Sequence, residues 1–550
     1  MSRTVRLRPW QLRALERLAG TGAPDFLAVA TPGAGKTTFA LCAAVHDLAA
    51  NPGRRLIVVA PTAHLKLQWA DAAARLGLHL EPRWSPAGGR LPADVHGLVT
   101  TYQQVASNPE ALRPPAAGSL VVLDEVHHAG DERAWGESVR RAFEVAPRRL
   151  SLSGTPFRSD TLAIPFVRYV GDEAVPDYEY GYADALGDGR VVRPVYFPRI
   201  NGFMEWIAPD GAAQAAAFDD PLDRARAAQR LRTALSLEGD WLATVLLQAN
   251  ERLGALRRRQ PDAGGLVIAA DQDHAQGIAD LLRYRCGVRA AVAVSDDPRS
   301  STRIARFAGS SDPWIVAVRM VSEGVDIPRL RVGVYATTTT TELFFRQAVG
   351  RFVRWTPGVP RQKAYLFIPD DARLRTWATQ IADARRHSLR KREQDAGADP
   401  GALDELRHED DRGDQLSMFA ALSAVVTGED DSSVFEADDS VLDHLDHAEG
   451  ESDGGVEMTL PPLPGGPPGR AAEGGDGGDG GAAANPRLAR SALRERNAKL
   501  VQDIVWATGM GHAQVNGQLN RLVGLRRIDE ATVDQLRRRA DQAERWLTTL

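Results

Sequence analysis

Cysteine is nearly missing from this 550-residue sequence: only Cys42 and Cys286 occur, far apart and each in an apolar context. Two such residues exclude a disulfide framework and a cysteine-built zinc site, and they read as small core residues. Long hydrophobic runs are missing too. No uninterrupted apolar stretch approaches the ~18 residues of a membrane span, and the opening MSRTVRLRPWQL contains no segment of the secretory type. The expectation is a cytoplasmic protein. Lysine is the third scarcity, with Lys36, Lys66, Lys363, Lys391 and Lys499 set against 62 arginines. A chain that uses arginine almost everywhere must have a reason for a compact ammonium where it keeps one.

The net charge of -5 conceals an asymmetry. Between His408 and Glu457 stand sixteen Asp and Glu against the single basic Arg412, a local charge of -15 that leaves the remainder at +10. A positive body with an acidic segment suits a polyanionic partner, although the arginine excess beside abundant Ala and Gly also fits a genome composition bias.

The length allows about three or four domains. Two stretches alternate strand and helix in the manner of doubly wound parallel sheets. In residues 1–171 the strand candidates are Leu27–Ala30, Leu56–Ala60, Gly97–Thr100, Leu120–Leu123 and Arg149–Ser153. In residues 264–370 they are Leu266–Ala270, Ala290–Val294, Trp314–Val318, Arg331–Tyr335 and Lys363–Ile368. A connector that is mostly helical after a short extended piece, VVRPVYFP, is expected over 172–263, and a helical extension over 371–407. Residues 408–486, acidic and then Gly- and Pro-rich, are too poor in apolar groups to pack and read as a disordered linker. Residues 487–550 read as a small helical module with Leu493, Leu500, Ile504, Val505, Leu519, Leu522, Val523, Val533, Leu536 and Trp546 as its core. Its basic face of Arg521, Arg526, Arg527, Arg537, Arg538 and Arg539 is either a solvated surface or an accessory DNA-binding or docking unit.

Chemistry concentrates at two strand ends. In FLAVATPGAGKTTFALCAAVHDLA an apolar strand enters a glycine-rich turn and then a helical pattern. Gly33 and Gly35 let the backbone curl so that its N–H groups and the helix N-terminus face an anion. Lys36 is placed to reach β and γ phosphates, and the Thr37 hydroxyl to bind Mg²⁺. Ala30 stands where the full GxxxxGK[ST] pattern has its first glycine, but the scarce lysine sits where that pattern needs one. In LVVLDEVHHAG a strand buried on both faces stops at Asp124 and Glu125. Ligands of parallel sheets sit at the carboxyl ends of strands, where two carboxylates can handle a metal and a reacting water. Alone, the pair would read as a solvated loop; the phosphate loop upstream decides between the two.

The ordered set of motifs resembles the superfamily 2 helicases and translocases of the DExH type, and most the branch holding restriction-enzyme motor subunits and repair helicases of the XPB type. The resemblance covers about Thr4 to Asp370. LRPWQ is similar to the adenine-reading segment, ATPGAGKTT to motif I, APTAHLKLQW to motif Ia and TTYQQV to the nucleic-acid-contacting motif that follows. DEVH resembles motif II, SGTPFR motif III, SEGVDIP motif V and QAVGRFVR motif VI. The resemblance implies two RecA-like α/β domains in tandem, with ATP and Mg²⁺ as cofactors and nucleic acid, DNA above RNA, as partner. It implies that Asp124 holds the metal with Thr37, that Glu125 polarises the attacking water, and that Gly33, Ala34, Gly35, Lys36, Thr37 and Thr38 cradle the phosphates. Gln11 would read adenine, and Gly324 and Asp326 would approach the ribose. His127 would couple ATP to nucleic acid, and Ser153 and Thr155 would couple the two cores. Gln347 would touch the γ phosphate side, and Arg351 and Arg354, three apart on one helical face, would act as arginine fingers. Pro61, Thr62, Thr101 and Tyr102 would contact nucleic acid, with Tyr102 either a stacking platform or a core residue.

The reading leads to an ATP-dependent DNA helicase or translocase. A nucleotide-switched nucleic-acid-binding protein that never unwinds, and an RNA helicase, are the alternatives, since no motif contains a strand-separating wedge. No nuclease, methyltransferase or cysteine-cluster motif is present, so a complete restriction subunit is not expected. Gln415, Leu416, Met418 and Phe419 in QLSMF resemble the peptides by which bacterial replication and repair proteins dock on the sliding clamp; a chance pentapeptide or a short amphipathic helix would account for them equally.

Overall fold

Strands without polar alternation are covered on both faces, and the runs at Leu27–Ala30, Leu56–Ala60, Leu120–Leu123 and Trp314–Val318 do enter the interior of a parallel sheet, while Ala290–Ala293 lies at an edge. The computed structural model describes residues 3–85, 90–127, 133–154, 163–171, 173–208, 211–294, 300–318, 327–359, 362–395, 455–463 and 486–550. The chain forms two compact units: Met1–Ala28, Gly35–Tyr178 and Gly454–Leu550 in one, Val29–Ala34 and Glu179–Asp453 in the other. The doubly wound α/β sheets expected from the sequence are both present.

The first sheet runs Tyr178–Tyr180, Asp25–Ala30, Arg148–Ser153, Ser119–Leu123, Arg55–Ala60, Gly97–Thr101, Leu80–Glu81 from edge to edge. Its central pairs are parallel, with Leu56 opposite both Gly97 and Leu120, and Leu120 opposite Arg148. This order makes neighbours of three strand ends: those before the glycine-rich loop, before Ser153 and Gly154, and before Asp124.

The second sheet runs Val195–Tyr196, Ala364–Pro369, Leu330–Ala336, Gly264–Ala269, Trp314–Val318, Ala290–Ala293, with Arg199–Ile200 also paired to Ala364–Pro369. Its pairings are parallel. The helices Asp240–Arg257 and Gln272–Cys286 bury Leu242, Val245, Leu246, Ile278 and Leu282 against Val267, Val316 and Val334. Trp314 is enclosed in that core, and its indole N–H donates to Asn250 at 3.0 Å, so the large ring enters without stranding a donor.

Three expectations change. The segment 172–263 carries the helices Tyr182–Gly187, Arg224–Ala234 and Asp240–Arg257, yet it also supplies an edge strand to each sheet and the hairpin Phe203–Ile207 with Ala213–Ala217. Strands of two or three residues are stabilised by their partners and leave no periodicity to read. Within the span read as linker, Val456–Leu460 forms a strand antiparallel to Arg3–Leu7 at the opposite end of the chain. Its alternating V-E-M-T-L is a strand pattern that the surrounding composition conceals. Leu522, expected in the module's core, is 63% exposed because it is the last residue of its helix, His512–Leu522.

The C-terminal module does fold as helices, Pro486–Thr508, His512–Leu522 and Val533–Thr548, around Val501, Ile504, Val515, Leu519 and Ala543. It is part of the first unit, held by charge. Arg490 Nη2 lies 2.7 Å from Asp94 Oδ1, Arg490 Nη1 donates to the Ala531 carbonyl at 2.9 Å, and Asp94 Oδ2 accepts from the Val533 amide at 3.0 Å. Arg490 has only 6% of its side chain exposed, so Arg490→Ala removes a buried cation from a half-buried carboxylate. The expected loss is about 3–5 kcal/mol of local stability, seen as earlier proteolytic release of the module and an unchanged melt of the second unit.

Candidate functional site

The strand Asp25–Ala30 ends in a loop, and the helix Lys36–Ala50 leaves it with Gly35 as N-cap. Gly33 and Gly35 hold φ of +84 and +94, so both stand in the left-handed region that a side chain strains. A Cβ on Gly35 would also come within 2.7 Å of Gln11 Nε2. Lys36, Thr37 and Thr38 open the helix half-buried, and Ala34 is enclosed. The amides of this first turn have no helical partner and form an anion-facing N-terminus.

Gln11 was expected to read adenine. It is buried, its Nε2 donates to the Gly35 carbonyl at 2.9 Å, and its Oε1 accepts from the Arg8 amide at 2.8 Å. Its amide therefore braces the phosphate loop. Trp10 beside it packs on Phe39 and Tyr178, fixing the helix Pro9–Gly20 against the helix after the loop.

The chain turns sharply after Leu123. Asp124 N donates to the Val59 carbonyl at 2.9 Å, and Glu125 takes φ +46. A residue other than glycine held there costs of order 1–3 kcal/mol and is typical of functional turns. The turn aims the two carboxylates apart. Asp124 Oδ2 accepts from the Trp69 indole at 2.7 Å in the interior. Glu125 Oε1 lies 3.2 Å from Lys36 Nζ, while Oε2 accepts from the Gly154 amide at 2.9 Å and stands 3.6 Å from His127 Nδ1. That imidazole nitrogen is 3.3 Å from Ser153 Oγ. The predicted Lys36, Asp124, Glu125, His127 and Ser153 thus meet in one place.

Environment separates the two acids. Burial, helped by the charge of Glu125, pushes Asp124 up to about 6. Burial also pushes Glu125 up, but Lys36, His127 and the Gly154 amide outweigh it and hold that carboxyl at about 2. Glu125 thus holds its charge far into the acid range, whereas Asp124 is the desolvated carboxylate, an oxygen ligand short of positive charge. Among the described residues no group of three or more His, Cys, Asp or Glu could hold a metal ion alone. Mg²⁺ is ordinarily held by one or two carboxylates together with substrate phosphates and water, so Asp124 and the Thr37 hydroxyl fit it by donor chemistry.

The proposed nucleic-acid contacts fare differently. Thr62 caps the helix Ala63–Arg75 by accepting from Leu65, and Thr101 caps Tyr102–Ser107 by accepting from Gln104. Pro61 is half-buried just before the first cap. Tyr102 is fully enclosed, stacked on Trp135 at 6.4 Å, with its hydroxyl donating to the Asp124 carbonyl at 2.9 Å. It supports the turn that carries Asp124 and offers no ring face to a base, which selects the core reading over the stacking one.

In the second unit the helix Glu342–Gly350 carries Gln347, half-buried, and ends before either arginine. Arg351 is its C-cap, and Arg354 forms an antiparallel bridge with Val192. The two therefore do not share a helical face. The Arg193 amide donates to the Val353 carbonyl at 2.9 Å, and this pairing takes the backbone out of the helix. The same unit includes 29–34, and a Cβ on Gly33 would lie 3.3 Å from Arg354 Cδ and Nη1, so the guanidinium lies over the phosphate loop. Thr155, Gly324, Asp326, Gln415, Leu416, Met418 and Phe419 lie outside the described residues.

Sequence reasoning missed Trp69, the donor to Asp124, and Lys66, which is buried and donates to Gln104 Oε1 at 2.8 Å. Both fall in the APTAHLKLQW segment; an indole and a rare lysine there were the available signals.

Residues 4–158 match the family model described as "Type III restriction enzyme, res subunit". The Mycobacterium tuberculosis protein Rv2917 is 46% identical over 426 residues, 76% of this chain and 70% of the relative. Mycobacterium leprae ML1624 is 43% identical over 426 residues, 76% of this chain and 71% of that protein. Among solved structures, a fragment of a candidate HsdR subunit of a type I restriction enzyme from Vibrio vulnificus aligns at TM-score 0.47 and 18% identity, over 68% of this chain and 65% of the fragment, just under two thirds of its length. No described helix is long and apolar enough to cross a membrane.

Proposed function

We propose that this chain, which belongs to the same family as the two mycobacterial proteins and has the superfamily 2 helicase-type motor fold, is an ATP-dependent DNA helicase or translocase. One observation carries the reading: Glu125, ionised in a left-handed turn, joins Lys36 on the phosphate loop to Gly154 on the neighbouring strand end and to His127, which in turn meets Ser153 there. A γ phosphate entering the loop competes for Lys36. Glu125, relieved of that ion pair, is then placed to orient water in line with the bond to be broken. Mg²⁺ would be held by Asp124 and Thr37 and would neutralise charge on the phosphate oxygens. His127 and Ser153 feel the change at Glu125 directly, which gives hydrolysis a mechanical outlet toward the strand end that carries Gly154.

DNA is favoured over RNA by the restriction-enzyme description of the matching family model, while the +10 charge outside the acidic segment suits either polyanion. The test measures ATP turnover with no nucleic acid, then with single-stranded DNA, duplex DNA and RNA, beside strand- and triplex-displacement assays. Stimulation by DNA with displacement in either assay is expected. Stimulation without displacement would make the protein an ATP-driven switch, stimulation by RNA alone an RNA helicase, and no stimulation by any of them would sink the motor.

Trp69→Phe provides a check on the metal side. It leaves a buried Asp124 oxygen without its donor, and outer-shell losses of this kind cost about 10–100-fold in metal affinity. The Mg²⁺ concentration for half-maximal turnover should rise by that factor. An unchanged Mg²⁺ dependence would mean that Asp124 is not the metal ligand.

A further inference from the structure

The hairpin of Phe203–Ile207 with Ala213–Ala217 is covered on one face and open on the other. Met204 and Ala216 are buried, and the half-buried Trp206 packs on the core of the second unit with its indole N–H donating to Gln229 Oε1 at 2.9 Å. The opposite face pairs Phe203 with Ala217, Glu205 with Ala215 and Ile207 with Ala213. Phe203 is 62% exposed and Ile207 78%. Two such side chains among three alanines form one apolar strip, which a singly exposed residue does not.

The edge of Phe203–Ile207 is open as well. The Ala208 amide donates to the Ala212 carbonyl at 2.9 Å and the Phe218 amide to the Gly202 carbonyl at 3.3 Å. Antiparallel pairs alternate between bonded and non-bonded, so the ladder bonds between these two belong to Met204 with Ala216 and Trp206 with Gln214. The amides and carbonyls of Phe203, Glu205 and Ile207 therefore point away from the partner strand, and none has a hydrogen-bond partner among the described residues. The far edge of the hairpin is closed at its end, where the Ala217 amide donates to Asp220 Oδ2 at 2.7 Å and the Ala217 carbonyl accepts from Arg230 Nη1. An unpaired row of this kind is a template for one more strand, whose main chain supplies affinity and whose alternate side chains supply selectivity.

Glu205 decides what that strand carries. It is exposed between Phe203 and Ile207 and has no ion pair among the described residues. A second copy paired across a two-fold axis with all three residues engaged would set the two Glu205 carboxylates face to face, and like charges directly opposite are destabilising. A polyanion meets the same charge. A basic residue opposite Glu205, with an apolar residue two positions to each side, answers the charge, both apolar side chains and the open backbone together.

We infer that the free edge of Phe203–Ile207 is a docking site for an extended peptide segment of a partner protein, added antiparallel, with a lysine or arginine opposite Glu205 and apolar residues opposite Phe203 and Ile207. The site does not depend on the motor reading.

The test uses the full-length protein and a labelled Thr-Val-Thr-Lys-Thr-Val-Thr peptide followed by fluorescence anisotropy. Saturable binding is expected, weakened about tenfold when the lysine amide is N-methylated, since a ladder bond is lost at the edge. Glutamate in place of the peptide's lysine should weaken binding about three- to tenfold, and Glu205→Lys should reverse that preference. Phe203→Thr combined with Ile207→Thr keeps strand propensity at two exposed positions and should weaken the lysine peptide severalfold. No saturable binding of the lysine peptide up to millimolar concentration, or binding that ignores both N-methylation and Glu205→Lys, would overturn the site. So would a dimer in sedimentation, or an oligonucleotide affinity, that the double threonine variant abolishes, because the occupant would then be a second copy or a nucleic acid.

Discussion

Lys36→Ala and Glu125→Gln are each expected to lower ATP turnover by about 10³-fold, equivalent to about 4 kcal/mol of transition-state stabilisation. Phosphoryl transfer rests on positioning and charge, and these two side chains supply both across a 3.2 Å gap. The two changes should differ in nucleotide binding. Removing the ammonium takes away a phosphate contact and weakens ATP. Glu125→Gln removes the competitor for that ammonium, keeps an acceptor for the Gly154 amide, and should leave ATP bound as well or better. Turnover under saturating Mg-ATP, binding of a labelled nucleotide and a thermal melt check all three points. Full turnover in Glu125→Gln would remove Glu125 from the chemistry.

Arg354→Ala is the second large effect. With its guanidinium over Gly33, Arg354 is expected to act on charge that develops during transfer, so kcat should fall by roughly 10³-fold with little change in ATP affinity. Arg351→Ala should also act on turnover, but Arg351 is a helix C-cap on a different backbone segment and its effect should be separable. Because Arg354 also bridges Val192 through its backbone, which alanine preserves, a loss through misfolding is not expected. If kcat and ATP affinity fell together and the melting temperature dropped, Arg354 would be a structural residue.

Much of the architecture could be read before any coordinates. Runs such as Leu120–Leu123 and Leu56–Ala60 have no polar alternation, and a strand of that kind has few options other than the middle of a parallel sheet. The glycine-rich turn and the acids after Leu123 were legible because strand, loop and helix succeed one another locally. The edge strand Tyr178–Tyr180 was not, being too short to show periodicity, whereas Val195–Tyr196 falls in the extended piece VVRPVYFP and only its pairing was hidden.

The sequence by itself determined the fold class, the order of the motifs, and the residue types that handle phosphate and metal, since each depends on local spacing and on burial that composition reports. Tertiary structure alone decided which partners those residues have. It decided that Tyr102 is a buried brace under Asp124 and not a stacking platform, gave Gln11 to the phosphate loop, and supplied Trp69 to Asp124. It also separated Arg351 from Arg354 and paired Val456–Leu460 with Arg3–Leu7. Each of these contacts joins segments far apart in the chain, or replaces a local helical bond with a distant one. Their energies come from burying a polar group beside one specific partner, and no local pattern names that partner.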